Sequence, residues 1–224
     1  MDGILPAAGL AKRMKGIPKF LLPIDRDYKS LLEVHISNLS KICDKIYLPT
    51  RPELGPIIKS LDLDLEDIVI AEMETTTMCE TVSKTLNLSE SENFILIMPD
   101  TYFFGEQPYQ MLDSETDFCN LACWKIRDEQ RGKLGEVKID EKMIIRAMVD
   151  KQSDNGYEYS WGALTFNRLL SKYIKNDEPH IGYAVKNAME NGEEIYASLV
   201  EGKYYDCGTP SEYLELLEET LLTK

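Results

Sequence analysis

The sequence predicts an α/β protein: a doubly wound, mostly parallel, Rossmann-like sheet with an antiparallel addition on its substrate side. Three observations carry that prediction. Strand-like and helix-like segments alternate through the first half of the chain, which builds a right-handed parallel sheet with helices on both faces. Phe94 to Met98 is apolar throughout, as a strand covered on both faces requires. From Asp117 onward strand-like segments follow at shorter spacing, which suits mixed or antiparallel pairing.

Asp2 to Ala7 is the first strand. A helix follows from Ser30 to Ile42, with Leu31, Leu32, His35, Ile36, Leu39 and Ile42 along one side. Lys45 to Leu48 is the second strand, Ile57 to Leu61 a short helix, and Ile68 to Ala71 the third strand. Met78 to Leu88 is helical and leads to the fourth strand, Phe94 to Met98. Beyond it, Asp117 to Ile126, Gly135 to Ile139, Met143 to Val149 and Tyr159 to Phe166 read as strands. Leu169 to Ile174 and Ile181 to Glu190 read as helices, and Glu194 to Leu199 as a strand. Ser211 to Leu222 closes as an amphipathic helix, with Pro210 before it as a start signal. At 224 residues the chain suits one domain, residues 1–224, whose pattern changes between a first half (1–115) and a second half (116–224).

Composition narrows the function. A net charge of −14 repels nucleic-acid backbones, so no nucleic-acid partner is expected. No apolar run is long enough to span a bilayer, and the N-terminus reads into a core strand rather than a signal peptide, so the expected setting is cytoplasmic and away from membranes. The five cysteines form no Cys-x-x-Cys pair and read as reduced, buried thiols; Cys119 and Cys123 share one strand face. With only His35 and His180, a zinc centre or a Ser-His-Asp triad has little material.

Against that acidic background the start of the chain stands out. Pro6-Ala7-Ala8-Gly9 is a small-residue turn after an apolar run, and Lys12, Arg13, Lys15 and Lys19 follow with no acid among them. Small residues let backbone N–H groups approach a phosphate, while Arg13 offers a planar fork and Lys19 a compact charge. Neither the P-loop pattern nor the dinucleotide Gly-x-Gly-x-x-Gly fingerprint is present, and a tight turn leading to a solvated basic segment is the competing reading. Asp100 follows the fourth strand at the sheet's ligand edge, and Asp206 lies at another strand-to-helix junction. Two such carboxylates suit one hard cation completed by substrate phosphates, or each caps a turn.

Together these segments resemble the sugar-phosphate nucleotidyltransferase family. Pro6 to Met14 with Pro18-Lys19 is similar to its signature loop, and Met98-Pro99-Asp100 to its metal-binding strand end. Tyr205-Asp206-Cys207-Gly208-Thr209-Pro210 is similar to its aromatic-x-Asp-x-Gly-Thr-Pro segment, and Tyr159 to Phe166 to its sugar-side strand. The resemblance implies transfer of a nucleotidyl group from a nucleoside triphosphate to a sugar 1-phosphate, with release of pyrophosphate. It implies that residues 1–115 form the nucleotide-binding half and residues 116–224 the sugar-phosphate-binding half, and that Arg13 holds the leaving pyrophosphate and Lys19 the α-phosphate. Ala8, Gly9, Leu10, Ala11, Lys12, Thr77 and Glu80 would bind the nucleotide. Asp150 and Lys151 would bind the sugar phosphate, Gly135 and Gly162 would leave room for the sugar ring, and Mg²⁺ would sit on Asp100 and Asp206.

Departures from the family pattern bear on the base. Ala11 stands where Gly is usual, Lys12 where Thr or Ser is usual, Gln152 where Pro follows the Lys, and Thr77 where Gly is frequent. Residues 75–77 read equally as a base-reading segment or as a helix cap. The short spacing from Arg13 to Lys19 keeps a second acceptor class open: a cytidylyltransferase for a small alcohol phosphate or a phosphocholine-like group. A glycosyltransferase would show Asp-x-Asp after the fourth strand, where Asp100-Thr101-Tyr102 stands, and a silent nucleotide-binding regulator would not need Arg13, Lys19, Asp100 and Asp206 together. Trp124 and His35 read as core residues, Trp161 as core or as a border of the sugar pocket, and Leu214, Leu217 and Leu221 as a packing stripe.

Overall fold

The computed structural model describes residues 1–11, 14–105, 107–112 and 118–222. Parallel pairing begins with β1 (Asp2–Ile4), flanked by β2 (Lys45–Thr50) and β4 (Asn93–Ile97), and β3 (Ile68–Glu72) adds outside β2. The expected first strand is shorter than its apolar run: ladder pairing stops at Ile4, and only an isolated bridge from Ala7 to Thr50 continues it. Pro6 removes a donor at that point, which frees the chain to turn.

The second half does not sit beside this sheet as an appendage; it completes it. The long strand β9 (Tyr159–Asn167) lies antiparallel between β4 and β6 (Cys119–Lys125), and β10 (Ile195–Val200) runs parallel outside β6. The hairpin of β7 (Gly135–Ile139) and β8 (Ile145–Asp150) branches from the end of β9. The main order is therefore β10-β6-β9-β4-β1-β2-β3. A separate two-stranded ribbon pairs β5 (Thr101–Phe103) with β11 (Tyr204–Asp206).

Helices cover both faces, as the alternation requires. α1 (Leu31–Leu39), α2 (Gly55–Lys59) and α4 (Gln107–Leu112) pack with Ile95 and Ile97; α3 (Met78–Leu86) and α5 (Gly182–Glu190) pack with Phe94 and Leu96. β4 thus sends successive side chains to opposite cores, which explains its unbroken apolar sequence. Ser30 caps α1 in a reciprocal capping box with Glu33. Cys119 and Cys123 share the core face packed by α3 and α5, and none of the five cysteines forms a disulfide.

Five elements differ from expectation. Arg168–Tyr173 is a 3₁₀ segment rather than an α-helix, and β5, β11 and α4 carry no periodic signal long enough to read. α6 (Pro210–Leu222) buries Leu216 against Tyr205 and Cys207, whereas Leu214 is 58% exposed, so the expected leucine stripe does not form one buried face. Among the described residues no helix is long and apolar enough to cross a membrane.

Candidate active site

The carboxyl edges of β1 and β4 face a continuous series of cavities, as doubly wound sheets favour. The first, about 680 Å³, lies between Pro6, Ala8, Gly9, Leu10 and Ala11 on one side and residues 75–78 on the other. That volume falls within the range of small-molecule sites. The next, about 320 Å³, runs past Pro18 and Lys19 to Asp100. A third holds Asp100 and Asp206 together with Lys133, Gly135, Asp150, Lys151 and His180. A last chamber continues between Asp150, Trp161, His180 and Lys186.

The loop after β1 is held in an unusual backbone state. Ala11 has φ of 46°, in the left-handed region that favours glycine, and its carbonyl accepts from the N–H groups of Met14 and Gly16. Lys12 and Arg13, the next two residues of the expected site, lie outside the described residues. Lys19 is placed by a 3₁₀ turn, Lys19–Leu21, whose Phe20 is buried in the core beneath. Its ammonium pairs with the Asp100 carboxylate.

A buried histidine holds β5 just after Asp100. His35 is 0% exposed, with Nε2 2.9 Å from the Thr101 carbonyl and Nδ1 2.8 Å from the Tyr109 hydroxyl. A carbonyl only accepts, so Nε2 carries the proton and the Tyr109 O–H donates to Nδ1. Burial, opposed by the Thr101 hydrogen bond, lowers this histidine from 6.5 to about 4. The sequence reading of His35 as a core residue agrees with this placement.

Asp206 reaches the same cavity through the β5–β11 ribbon, where it stands opposite Thr101, and the Cys207 N–H donates to the Asp100 carbonyl at 2.9 Å. Gly208 N–H donates to Asp206 Oδ1 at 2.9 Å. Burial, reinforced by the nearby Asp206 charge, raises Glu212 to about 7. Among the described residues no group of three His, Cys, Asp or Glu side chains forms a complete metal cage. Two carboxylates without a cage suit a magnesium-type cation, which takes one or two carboxylates and completes its shell with water and substrate phosphates.

Residues 75–77 close the first cavity. Thr77 is the N-cap of α3: its oxygen accepts from Glu80 N–H at 3.0 Å, and its hydroxyl donates to the Asn176 carbonyl at 2.6 Å. Thr77 also lines the cavity, so the cap and the cavity wall are one residue. Glu80 does not line it. Its carboxylate pairs with Lys84 and accepts from Thr76, and those partners, Lys84 first, lower it to about 2.

At the third cavity, Asp150 ends β8 and Lys151 follows with φ of 50°, its N–H tied to the Leu134 carbonyl at 3.0 Å. Both face the cavity that holds Asp100 and Asp206, as does Lys133, which the sequence reading did not single out. The two glycines expected to leave room for a ring are used for packing instead. Gly162 is the extra residue of a β-bulge, since Ala122 pairs with Ala163 and Cys123 with Trp161. A side chain at Gly162 would enter the Tyr204 ring, and one at Gly135 would enter the Trp161 indole. Gly135 still borders the cavity, but the space over it belongs to Trp161. His180, also missed, faces Asp150 with Nε2 3.1 Å from Oδ2. Its signal in the sequence was slight: one of two histidines, just ahead of a helix.

Comparisons with known proteins agree with this fold. UDP-glucose pyrophosphorylase complexed with UDP-glucose superposes with a TM-score of 0.80 at 19% identity, covering 97% of each chain. The inositol-1-phosphate CTP transferase from T. maritima gives 0.80 at 18%, covering 98% of this chain and 95% of that one. UDP-glucose pyrophosphorylase from Acinetobacter baumannii gives 0.79 at 14%, covering 97% and 92%. At these identities the likeness is one of fold. No curated protein matches in sequence. The family profile of the MobA-like NTP transferase domain matches residues 3–155, well over half of the chain, and the protein therefore belongs to the MobA-like NTP transferase family.

Proposed function

We propose that this nucleotidyltransferase moves a nucleotidyl group from a nucleoside triphosphate to a sugar 1-phosphate and releases pyrophosphate. The observation that carries the reading is the order of the cavities. Small-residue loop, Lys19, Asp100 with Asp206, and Asp150 with Lys151 succeed one another along one sheet edge. A triphosphate and a phosphorylated acceptor laid along that edge meet at the two carboxylates.

Nucleotidyl transfer needs in-line positioning and charge neutralisation more than proton transfer. The small side chains of Ala8 and Gly9 leave the loop backbone open to the triphosphate. Lys19, beside the phosphate channel, neutralises charge that develops at the α-phosphorus. Lys151 and Lys133 hold the acceptor phosphate, and Asp150 accepts from an acceptor hydroxyl. Arg13, by family resemblance, holds the leaving pyrophosphate. Asp100 and Asp206 would bind Mg²⁺, which supplies Lewis-acid charge to the bridging phosphates when bound.

The test is a panel of the four common nucleoside triphosphates, each with Mg²⁺ and glucose 1-phosphate, inositol 1-phosphate or phosphocholine, following pyrophosphate release. Release with glucose 1-phosphate supports the reading; release only with inositol 1-phosphate or phosphocholine, or none despite triphosphate binding, rejects it. Asp206→Asn is expected to keep its fold by circular dichroism and to lose activity by about 100-fold or more.

A further inference from the structure

We propose that His180 sets acceptor specificity by holding the Asp150 carboxylate in the orientation that reads an acceptor hydroxyl; this rests on the nucleotidyl-transfer reading above. The two residues come from distant segments and meet at one wall. Nε2 of His180 lies 3.1 Å from Asp150 Oδ2, yet that nitrogen is shielded from solvent and has no aligned hydrogen-bond partner. A shielded polar atom left unpaired is costly, so a small turn of the carboxylate onto Nε2 is favoured once a ligand fixes its other oxygen. Both side chains border the last chamber and the cavity of Asp100 and Asp206. One carboxylate oxygen then faces the imidazole while the other remains for substrate.

The ring's position is over-determined. It packs on Tyr183 with centroids 4.8 Å apart. Beside it stands Gly182, where a Cβ would lie 2.8 Å from Trp161 Cζ2 and 3.0 Å from His180 Nδ1. Any side chain there would push the imidazole off the Trp161 wall. The backbone is tied on both sides: the Pro179 carbonyl accepts from Met78 N–H at 3.1 Å, and the His180 carbonyl from Tyr183 N–H at 3.1 Å. His180 therefore belongs to the same strap that caps α3 at the base side.

The chemistry of the wall defines what is read. An ionised carboxylate only accepts, so the pair selects an O–H donor. Lys133, Lys151 and Lys186 border the same space and suit the phosphate of the acceptor. An acceptor without the hydroxyl leaves a partly buried carboxylate unpaired, the arrangement that discriminates most sharply between substrates. The acceptor class is a polyhydroxylated phosphate, either a sugar or a cyclitol, and His180 is a positioning residue acting through Asp150.

The experiment is a binding titration that does not depend on turnover. Trp161 lines the chamber, so intrinsic tryptophan fluorescence reports occupancy by glucose 1-phosphate, inositol 1-phosphate and, separately, inorganic phosphate. His180→Ala is expected to weaken the better-bound polyol phosphate by about tenfold or more while leaving inorganic phosphate unchanged. His180→Gln, whose amide N–H can replace Nε2–H, is expected to recover most of that affinity. In the pyrophosphate assay His180→Ala should raise the acceptor KM and leave the triphosphate KM unchanged. The proposal is overturned by unchanged polyol phosphate binding, by an equal loss for inorganic phosphate, or by failure of Gln to restore binding. It is also overturned if the wild-type protein binds neither polyol phosphate better than inorganic phosphate. Absence of pyrophosphate release from wild-type protein would instead reject the transfer reading, which the titration leaves separate.

Discussion

Replacing His35 by glutamine separates the histidine's hydrogen bonds from its charge. Glutamine keeps an N–H for the Thr101 carbonyl and a carbonyl for the Tyr109 hydroxyl, but it cannot titrate. In the folded chain burial lowers His35 from 6.5 to about 4. The sign follows from linkage. A depressed folded pKa gives stability that is fully present above pH 6.5 and is lost as the pH falls towards about 4, because the unfolded chain takes up the proton first. A shift of that size amounts to about 3 kcal/mol, of which about 2–3 kcal/mol is spent between about pH 7.5 and about pH 4.5. Urea melts across that range, at fixed ionic strength, are the assay. At about pH 7.5 the glutamine variant is expected to be about 1 kcal/mol less stable than wild type, from imperfect geometry at two buried bonds. By about pH 4.5 the gap should close or invert, because only the wild-type protein carries the histidine penalty. Stability curves that stay parallel would refute the assignment of a neutral, buried His35.

Gly162→Ala places a methyl group in the Tyr204 ring; it should cost about 1–3 kcal/mol in urea unfolding and, by displacing β11, lower activity through Asp206. Ala11→Gly relieves a left-handed alanine and should stabilise the loop by up to about 1 kcal/mol, offset in part by the freedom glycine gains in the unfolded chain, as read from the urea midpoint. Thr77→Val removes the α3 cap and the tie to Asn176; a loss of about 1 kcal/mol and a raised triphosphate KM are expected, with the acceptor KM unchanged.

Much of the donor side was legible because its signals are local. An apolar run, Pro6 and small residues mark where β1 must end, and Asp100 follows directly from the buried strand before it. Ser30 and Thr77 sit where caps belong, and the structure uses both as caps. The acceptor side was less legible because its contacts are distant. Nothing near Gly162 announces that Tyr204 will fill the space over it, or that the strand bulges there. His180 and Lys133 have no motif around them; only the meeting of β7, β8 and the strap before α5 gives them a shared cavity.

The sequence by itself determined the class of fold, the succession of elements in the parallel half, and the places of the Ala8-Gly9 loop, Asp100 and Asp206 at strand ends. Helical and strand periodicity, breakers and strand ends are properties of neighbouring residues, and they survive without the rest of the molecule. Tertiary structure alone decided that β9 would enter the middle of the sheet and that three-residue β5 and β11 would pair. It thereby set Asp206 opposite Thr101 and against Asp100. Segments that short have no stability of their own, and their ladder forms only where the buried side chains of His35, Tyr204 and Tyr205 hold them together.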